Sequence, residues 1–451
     1  MSQATADVRQ ELGEAPLRPF HWMLVILVAL ATLFDGYDTL IPSYVIHFVH
    51  EPWHLSSSSA GFLVSSGLIG FAVGSLVHGM VADRIGRRPT LIAGLLVAGV
   101  FSVLTGLWGT SFASFITLRA LTGLGLGVLL PLGTAYINEY LPDRTRNRLA
   151  ALGGGGFALG GVCASITGVN LTAGGNWQIL FYLGGGAALL GVIYLFVFPE
   201  SVEFLVAHDR PERATRLLGR IRPDRAAFYE TARLRVSARP PAASWRLVLT
   251  PAYRTRTLAL WASAFLLLFG VYGLSAWTPE LMIDRGEGFA TGYVFGAVLQ
   301  GMSVVGALAG GFIADRYLGV RRSLMIWCTL GALSTVVVAF TNTTLTNVIG
   351  VGAAGLFIIG GQFLLNNVCA ATYPVHARGT GAGYMLGFGR VGGILGPYIG
   401  GWLLDLFSGT QILFAAVALA ALVAVGTTAL LGNAHKALPS SPQVPDAAPV
   451  R

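Results

Sequence analysis

Four charged side chains lie inside long apolar stretches of this sequence, where charged residues are otherwise rare. Asp35 and Asp38 interrupt one such stretch, and Arg119 and Arg390 interrupt two others. An apolar core penalises a buried charge, so each of the four is a candidate functional residue. The spacing of Asp35 and Asp38 (i, i+3) places both carboxylates on one face of a helix. Two acids held close together cannot both ionise at low cost, so the pair could carry a proton reversibly, or one acid could simply pair with an arginine.

The two arginines have functional and structural interpretations of their own. The planar guanidinium of Arg390 can donate two parallel hydrogen bonds to a carboxylate in a dry cavity, as substrate binding would require. It could equally form an ion pair with Asp35 or Asp38 that locks one conformation. Arg119 stands just before a glycine-rich stretch, so a role in the proton path and a role in helix packing both remain open.

A further group of aromatic and amide side chains is expected at the same depth as these charges. Their rings could stack on an aromatic ligand and their amides could hydrogen-bond to it, although both kinds of residue also pack helices together. These candidate substrate-binding residues are Tyr37, Tyr272, Trp277, Gln362 and Asn366.

The elements that carry these residues are long apolar segments. Hydrophobic residues make up 54% of the 451 residues and charged residues 11%, against roughly 25% charged in a soluble protein. Crossing a membrane takes about 20 apolar residues, which predicts an all-α membrane protein of twelve transmembrane helices. The predicted spans are 21–49, 60–82, 90–108, 112–138, 149–171, 179–198, 258–282, 291–314, 323–340, 345–371, 379–404 and 411–431.

The positive charge is concentrated in one connection. Residues 204–256 contain twelve Arg against four acids, which accounts for the whole net charge of +8. The other arginines also fall mainly in alternate connections, so this side is predicted to be cytoplasmic, with both termini inside. Membrane topology thus explains the basic balance, and nucleic acid is not expected as a partner. A short amphipathic pattern from residue 211 to 220 is expected to lie along the inner membrane face.

An internal repeat divides the chain into two halves. The loop after the second span reads Gly79-Met-Val-Ala-Asp83-Arg84-Ile-Gly-Arg87-Arg88, and a similar loop from Gly311 to Arg322 follows the eighth span. Repeated acids beside arginine clusters suggest ion pairs that break when the inner side opens. The predicted gating residues are Asp83, Arg84, Arg87, Arg88, Glu139, Asp315, Arg316 and Arg378.

Several kinds of chemistry are not expected. Lys436 is the only lysine, so no phosphate-binding loop with its lysine can form, and no lysine is available inside a span for a Schiff base. The histidines lack metal-ligand spacing, and the three cysteines lie far apart in apolar segments. No nucleophile and base are combined in a water-accessible segment, so neither an enzyme nor a cofactor other than the proton is predicted.

The repeated loop resembles the signature of the major facilitator superfamily. Asp35-Gly-Tyr-Asp38 is similar to the D-G-x-D motif of its aromatic acid:proton symporter family, and the stretch from Gly361 to Pro397 resembles that family's tenth and eleventh spans. The resemblance implies a major facilitator fold of two six-helix halves and proton-coupled uptake of an aromatic carboxylate, such as a benzoate or hydroxybenzoate, by alternating access. It also implies that Arg119 corresponds to the family's fourth-span arginine, beside Asp35 and Asp38 in proton coupling.

The predicted organisation follows from the spans and the loops. It comprises a cytoplasmic tail (1–20), a six-helix half (21–198), a cytoplasmic central loop (199–256), a second half (257–431) and a cytoplasmic tail (432–451). We expect a monomer in the plasma (inner) membrane, with the lipid bilayer and a small organic acid as partners. The alternatives are an exporter, a carrier of sugars or other solutes on the same fold, and a membrane sensor that binds without transport.

Overall fold

The structure is a computed structural model that describes residues 4–237, 245–374, 377–407 and 409–432. A strand, β1 (Thr5–Asp7), and a short helix, α1 (Val8–Gly13), precede the first spans. The helices of the first half are α2 (Pro19–Val49), α3 (Ser57–Ile85), α4 (Arg87–Trp108), α5 (Phe112–Tyr140), α6 (Arg146–Leu171), α7 (Gln178–Gly184) and α8 (Gly186–Val197). Together α7 and α8 form one span.

A central segment then leads to the second half. It contains α9 (Val202–Ala207), α10 (Pro211–Ile221), α11 (Ala226–Thr231), β2 (Arg233–Arg235) and α12 (Trp245–Val248). The second half contains α13 (Arg254–Asp284), α14 (Phe289–Ile313), α15 (Val320–Phe340), α16 (Thr344–Ala354), α17 (Gly360–Thr372), α18 (Arg378–Leu406) and α19 (Gln411–Ala429). A π-helical turn, Gly355–Ile359, joins α16 and α17 into one span.

The predicted twelve-helix fold is confirmed. Within the described residues, eleven helical segments are long and apolar enough to cross a membrane. The twelfth is α18, which has 29 residues, is rich in glycine and carries Arg390. It packs against α13 of its own half and α3 of the first half.

Glycines allow the helices that carry the charged residues to touch backbone to backbone. A Cβ atom on Gly36 of α2 would lie 1.9 Å from the carbonyl oxygen of Phe157, and one on Gly160 of α6 would lie 2.0 Å from that of Leu33. In the second half, a Cβ atom on Gly392 of α18 would lie 2.1 Å from the carbonyl oxygen of Phe265. Small residues at such contacts permit close packing where no hydrophobic force drives helices together. They fix α2 and α18, and with them the candidate charges.

Hydrogen bonds join the two halves at the end of the bundle that is distant from the central segment. The Asp405 carboxylate accepts bonds from the backbone N–H groups of Ser57 and Ser58, at 2.7 and 2.8 Å. The hydroxyl of Tyr293 donates to the carbonyl of Tyr44. The two halves therefore meet closely at this distant end.

The N-terminal tail and the central segment pack together, which the sequence analysis did not foresee. Strand β1 pairs in parallel with β2, and the carboxylate of Glu11 lies 2.8 Å from Arg222 and 3.2 Å from Arg225. Tyr229 donates a hydrogen bond of 2.7 Å to the same carboxylate, and its burial raises the pKa of the phenol, which stays protonated. The two regions thus form one unit at the end of the bundle.

The close approach of α6 to α2 makes a testable prediction for stability. Gly160→Ala places a methyl group against the Leu33 carbonyl, and overpacking of this kind costs about 1–3 kcal/mol. We expect a lower midpoint of thermal unfolding in detergent, measured by intrinsic fluorescence. Gly155→Ala, on the same helix, is the matched control, because a Cβ atom there meets nothing within 4 Å. Equal unfolding midpoints for the two variants would show that the contact of Gly160 with Leu33 does not stabilise the packing of α6 against α2.

Candidate functional site

A buried ion pair in the first half joins α2 to α5. Arg119 contacts the carboxylate of Asp38 through Nη1, and its Nη2 donates a 2.7 Å hydrogen bond to the backbone carbonyl of the same residue. The two side chains are only 1% and 2% exposed. Removing one partner from such a pair leaves an uncompensated buried charge, which is strongly destabilising. Arg119 therefore neutralises Asp38 and fixes its position.

Asp35 lies one turn before Asp38 and is fully buried, but it has no comparable partner. One carboxylate oxygen accepts a long hydrogen bond of 3.4 Å from the hydroxyl of Thr39. The other oxygen is buried and has no hydrogen-bond partner among the described residues. Of the two acids, Asp35 is thus the one whose charge is not compensated by a direct contact.

Arg390 faces this region from the second half. Its Nη1 donates a 3.0 Å hydrogen bond to the hydroxyl of Tyr272 on α13, and its guanidinium carbon lies 4.2 Å from the ring centre of Phe71 on α3. At 1.5 Å per residue, Asp35 lies about 24 Å along α2 and Arg390 about 18 Å along α18, from the same end of the bundle. The two charges thus lie at similar depth, across the interface of the halves.

The other predicted ligand contacts lie in different environments. The hydroxyl of Tyr37 bonds to Thr167 at 3.2 Å, and the indole N–H of Trp277 donates to the Pro397 carbonyl at 2.9 Å, so both groups are used within their own halves. Both amide atoms of Gln362 are buried, without a hydrogen-bond partner in the described part of the chain. Asn366, one turn further along α17, is exposed. Tyr272 is the candidate that the structure joins directly to Arg390.

The predicted gating residues are also placed differently from one another. Arg87 forms an ion pair with Glu139, whose carboxylate also accepts a 2.6 Å hydrogen bond from Ser201. The repeated acids Asp83 and Asp315 are exposed, and neither forms an ion pair with another described residue.

The basic members of the predicted gate either contact backbone carbonyls or are exposed. Arg378 donates a 3.2 Å hydrogen bond to the Tyr373 carbonyl. Arg88 contacts the Leu195 carbonyl. Arg84 and Arg316 are exposed. The described part of the loop signature therefore includes the ion pair of Arg87 with Glu139, whereas its repeated acids are exposed and form no ion pair with another described residue.

Sequence analysis missed two polar contacts of this bundle. Glu200 accepts hydrogen bonds from the backbone N–H groups of Arg87 and Arg88, at 3.0 and 3.2 Å, and so caps the start of α4. In the sequence, the only indication of this role was the position of Glu200 directly after the sixth predicted span. His47 and Glu280 lie 3.2 Å apart and join the two halves at the distant end. Both belong to the ends of spans, where a charged residue has no distinctive pattern.

Comparison with known proteins identifies the family. Residues 26–368 and 301–450 match the model of the Major Facilitator Superfamily. The chain is 33% identical over 440 residues to a 4-hydroxybenzoate transporter of Pseudomonas aeruginosa, covering 94% of this chain and 96% of that one. It is 30% identical over 438 residues to a benzoate transport protein of Acinetobacter baylyi, covering 95% and 93%.

A solved structure supports the same fold. The crystal structure of a D-xylose-proton symporter matches with a TM-score of 0.70 at 17% identity, over 90% of this chain and 97% of that one. This likeness concerns the fold alone, whereas the family model and the relatives extend over nearly the whole sequence. The chain is therefore a multi-pass membrane transporter of the major facilitator superfamily, in its aromatic acid:proton symporter family.

Proposed function

We propose that the protein takes up an aromatic carboxylate, such as a benzoate or a hydroxybenzoate, together with one or more protons by alternating access. The observation that carries the proposal is that Asp35 in the first half and Arg390 in the second form no ion pair with any residue that the structure describes. Transporters built from repeats bind substrate and coupling ion near mid-membrane, between the halves. The relatives named for 4-hydroxybenzoate and benzoate support the class of substrate.

Asp35 is the proton carrier in this proposal. Burying a carboxylate without a partner is costly, and protonation removes the charge. Asp38 cannot easily take this role while Arg119 holds it in an ion pair. Arg119 acts indirectly, because it is paired with Asp38 and leaves Asp35 as the acid that exchanges a proton.

Arg390 is the anchor for the substrate carboxylate. Its contact with Tyr272 occupies one donor, and the guanidinium fork retains others for an incoming anion. Phe71, which is buried and lies against the guanidinium, holds that side chain in position. Gln362 and Asn366 on α17 supply amide groups that can bond to ring hydroxyls, while Tyr37 and Trp277 support the site by packing.

The arginine-rich connections give the orientation and the gate. Both termini and the central segment face the cytoplasm of the plasma (inner) membrane, by the positive-inside rule.

The halves meet at the outer end. Opening at that end requires two contacts to break, that of Asp405 with Ser57 and that of His47 with Glu280. Asp83 and Asp315 then form ion pairs at the inner end with neighbouring arginines. The protein works as a monomer and uses the proton in place of any cofactor.

Neutralising Asp35 tests the coupling. In Asp35→Asn, we expect loss of proton-driven accumulation of labelled benzoate in proteoliposomes, while exchange of benzoate across the membrane without a gradient continues. Asp143→Asn is the control, because its side chain is 67% exposed and lies in a loop. Asp38→Asn should also abolish accumulation, and by orphaning Arg119 it should destabilise the fold by about 3–5 kcal/mol. A wild-type accumulation ratio in Asp35→Asn would remove the proton role of this residue.

The specificity of Arg390 can be tested with neutral analogues. Benzamide and methyl benzoate keep the ring and lose the anionic charge, so charge-assisted bonds worth about 1.5–3 kcal/mol disappear and inhibition of uptake should weaken about ten- to a hundredfold. Arg390→Lys keeps the charge without the fork and should raise the KM for benzoate. If benzamide inhibits the wild type as well as benzoate does, Arg390 does not bind the substrate carboxylate. That result would favour a carrier of sugars or other neutral solutes on the same fold.

A further inference from the structure

An amphipathic groove opens beside the central segment, outside the substrate site. Its cavity has a volume of about 770 Å³ and lies between α4, α8 and the amphipathic helix α10. Ile92 and Leu96 of α4 and Leu195 of α8 form an apolar wall on the membrane-spanning helices. Leu195 is 46% exposed, so this wall faces the position of lipid chains. The apolar part of the groove is therefore continuous with the bilayer interior.

The rim of the same groove is basic. Arg210 and Arg213 are exposed and line it from the central segment, and neither forms an ion pair with another residue that the structure describes. Arg88 lines it from α4, where its Nη2 contacts the Leu195 carbonyl and its Nε has no hydrogen-bond partner in the described ranges. The one acid on the lining, Glu200, accepts hydrogen bonds at its Oε1 from three backbone N–H groups, those of Arg87, Arg88 and Ser201. Three guanidinium groups thus stand at the mouth of an apolar slot.

We propose that this groove binds one anionic phospholipid, with the headgroup phosphate on Arg210, Arg213 and Arg88 and an acyl chain along Ile92, Leu96 and Leu195. Guanidinium groups bind phosphate oxygens through paired hydrogen bonds, and the apolar wall matches a hydrocarbon chain. A free phosphate would contact only the arginines of the rim and would leave the apolar wall without a partner. A lipid would fill both parts of the groove. The bound lipid links α10 to the start of α4, beside the ion pair of Arg87 with Glu139.

The test is a lipid titration of the purified full chain, followed by native mass spectrometry. The first molecule of dioleoyl phosphatidylglycerol should bind at least about tenfold more tightly than the first of dioleoyl phosphatidylcholine. Arg210→Ala/Arg213→Ala should weaken the first phosphatidylglycerol site about thirtyfold, since two charge contacts are lost. Arg210→Lys/Arg213→Lys should retain most of the binding.

A matched control separates this site from general attraction to anionic lipid. Arg216→Ala/Arg220→Ala removes the same amount of charge from the central segment, at exposed positions of α10 that do not line the groove, and should change the affinity less than about threefold. Equal loss in the two alanine pairs, or equal binding of the two lipids, would overturn the proposal. Displacement of the lipid by millimolar glycerol phosphate would also overturn it, because the site would then bind phosphate without the chain.

Discussion

The ion pair of Asp38 with Arg119 is the constraint on which the rest of the site depends. Both side chains are almost fully buried, so removing either one would leave the other charge uncompensated, at a large cost in folding free energy. Because Arg119 is paired with Asp38, Asp35 has no direct counter-charge among the described residues, and Arg390 lies across the interface without an ion pair in the same part of the chain. A single buried pair thus distinguishes the two acids, since one has a charged partner and the other does not.

Backbone contacts through glycine hold this arrangement in place. The site needs α2, α5 and α18 at fixed distances, yet the bilayer supplies no hydrophobic force between helices. Gly36 and Gly160 allow α2 and α6 to touch directly, and Gly392 does the same for α18 against α13. Each helix is then rigid enough to hold a charge at mid-depth. The contacts between halves can be exchanged during transport while these contacts inside each half persist.

The fold and the positions of the charged residues inside the spans could be predicted from the sequence, because both depend on local patterns. Apolar segments of membrane length and a repeated loop predict twelve helices in two halves, and any charge inside a span stands out. The partners of those charges could not be predicted, since depth alone puts Arg119 and Arg390 equally close to Asp35 and Asp38. Glu11 illustrates the same limit, because its partners Arg222 and Arg225 are distant in sequence and no periodicity connects them. Caps such as Glu200 depend on the exact end of a helix, which composition does not define.

We propose that Asp35 binds a proton when the substrate anion binds. Isothermal titration calorimetry of the purified protein with benzoate, in buffers of different ionisation enthalpy and at a series of pH values, counts the protons taken up on binding. In the wild type, the uptake should rise with pH towards about one proton per benzoate, because Asp35 becomes ionised in the free protein, and it should be absent in Asp35→Asn, with binding retained in the variant. The same proton uptake in both proteins at every pH would show that Asp35 does not bind the proton.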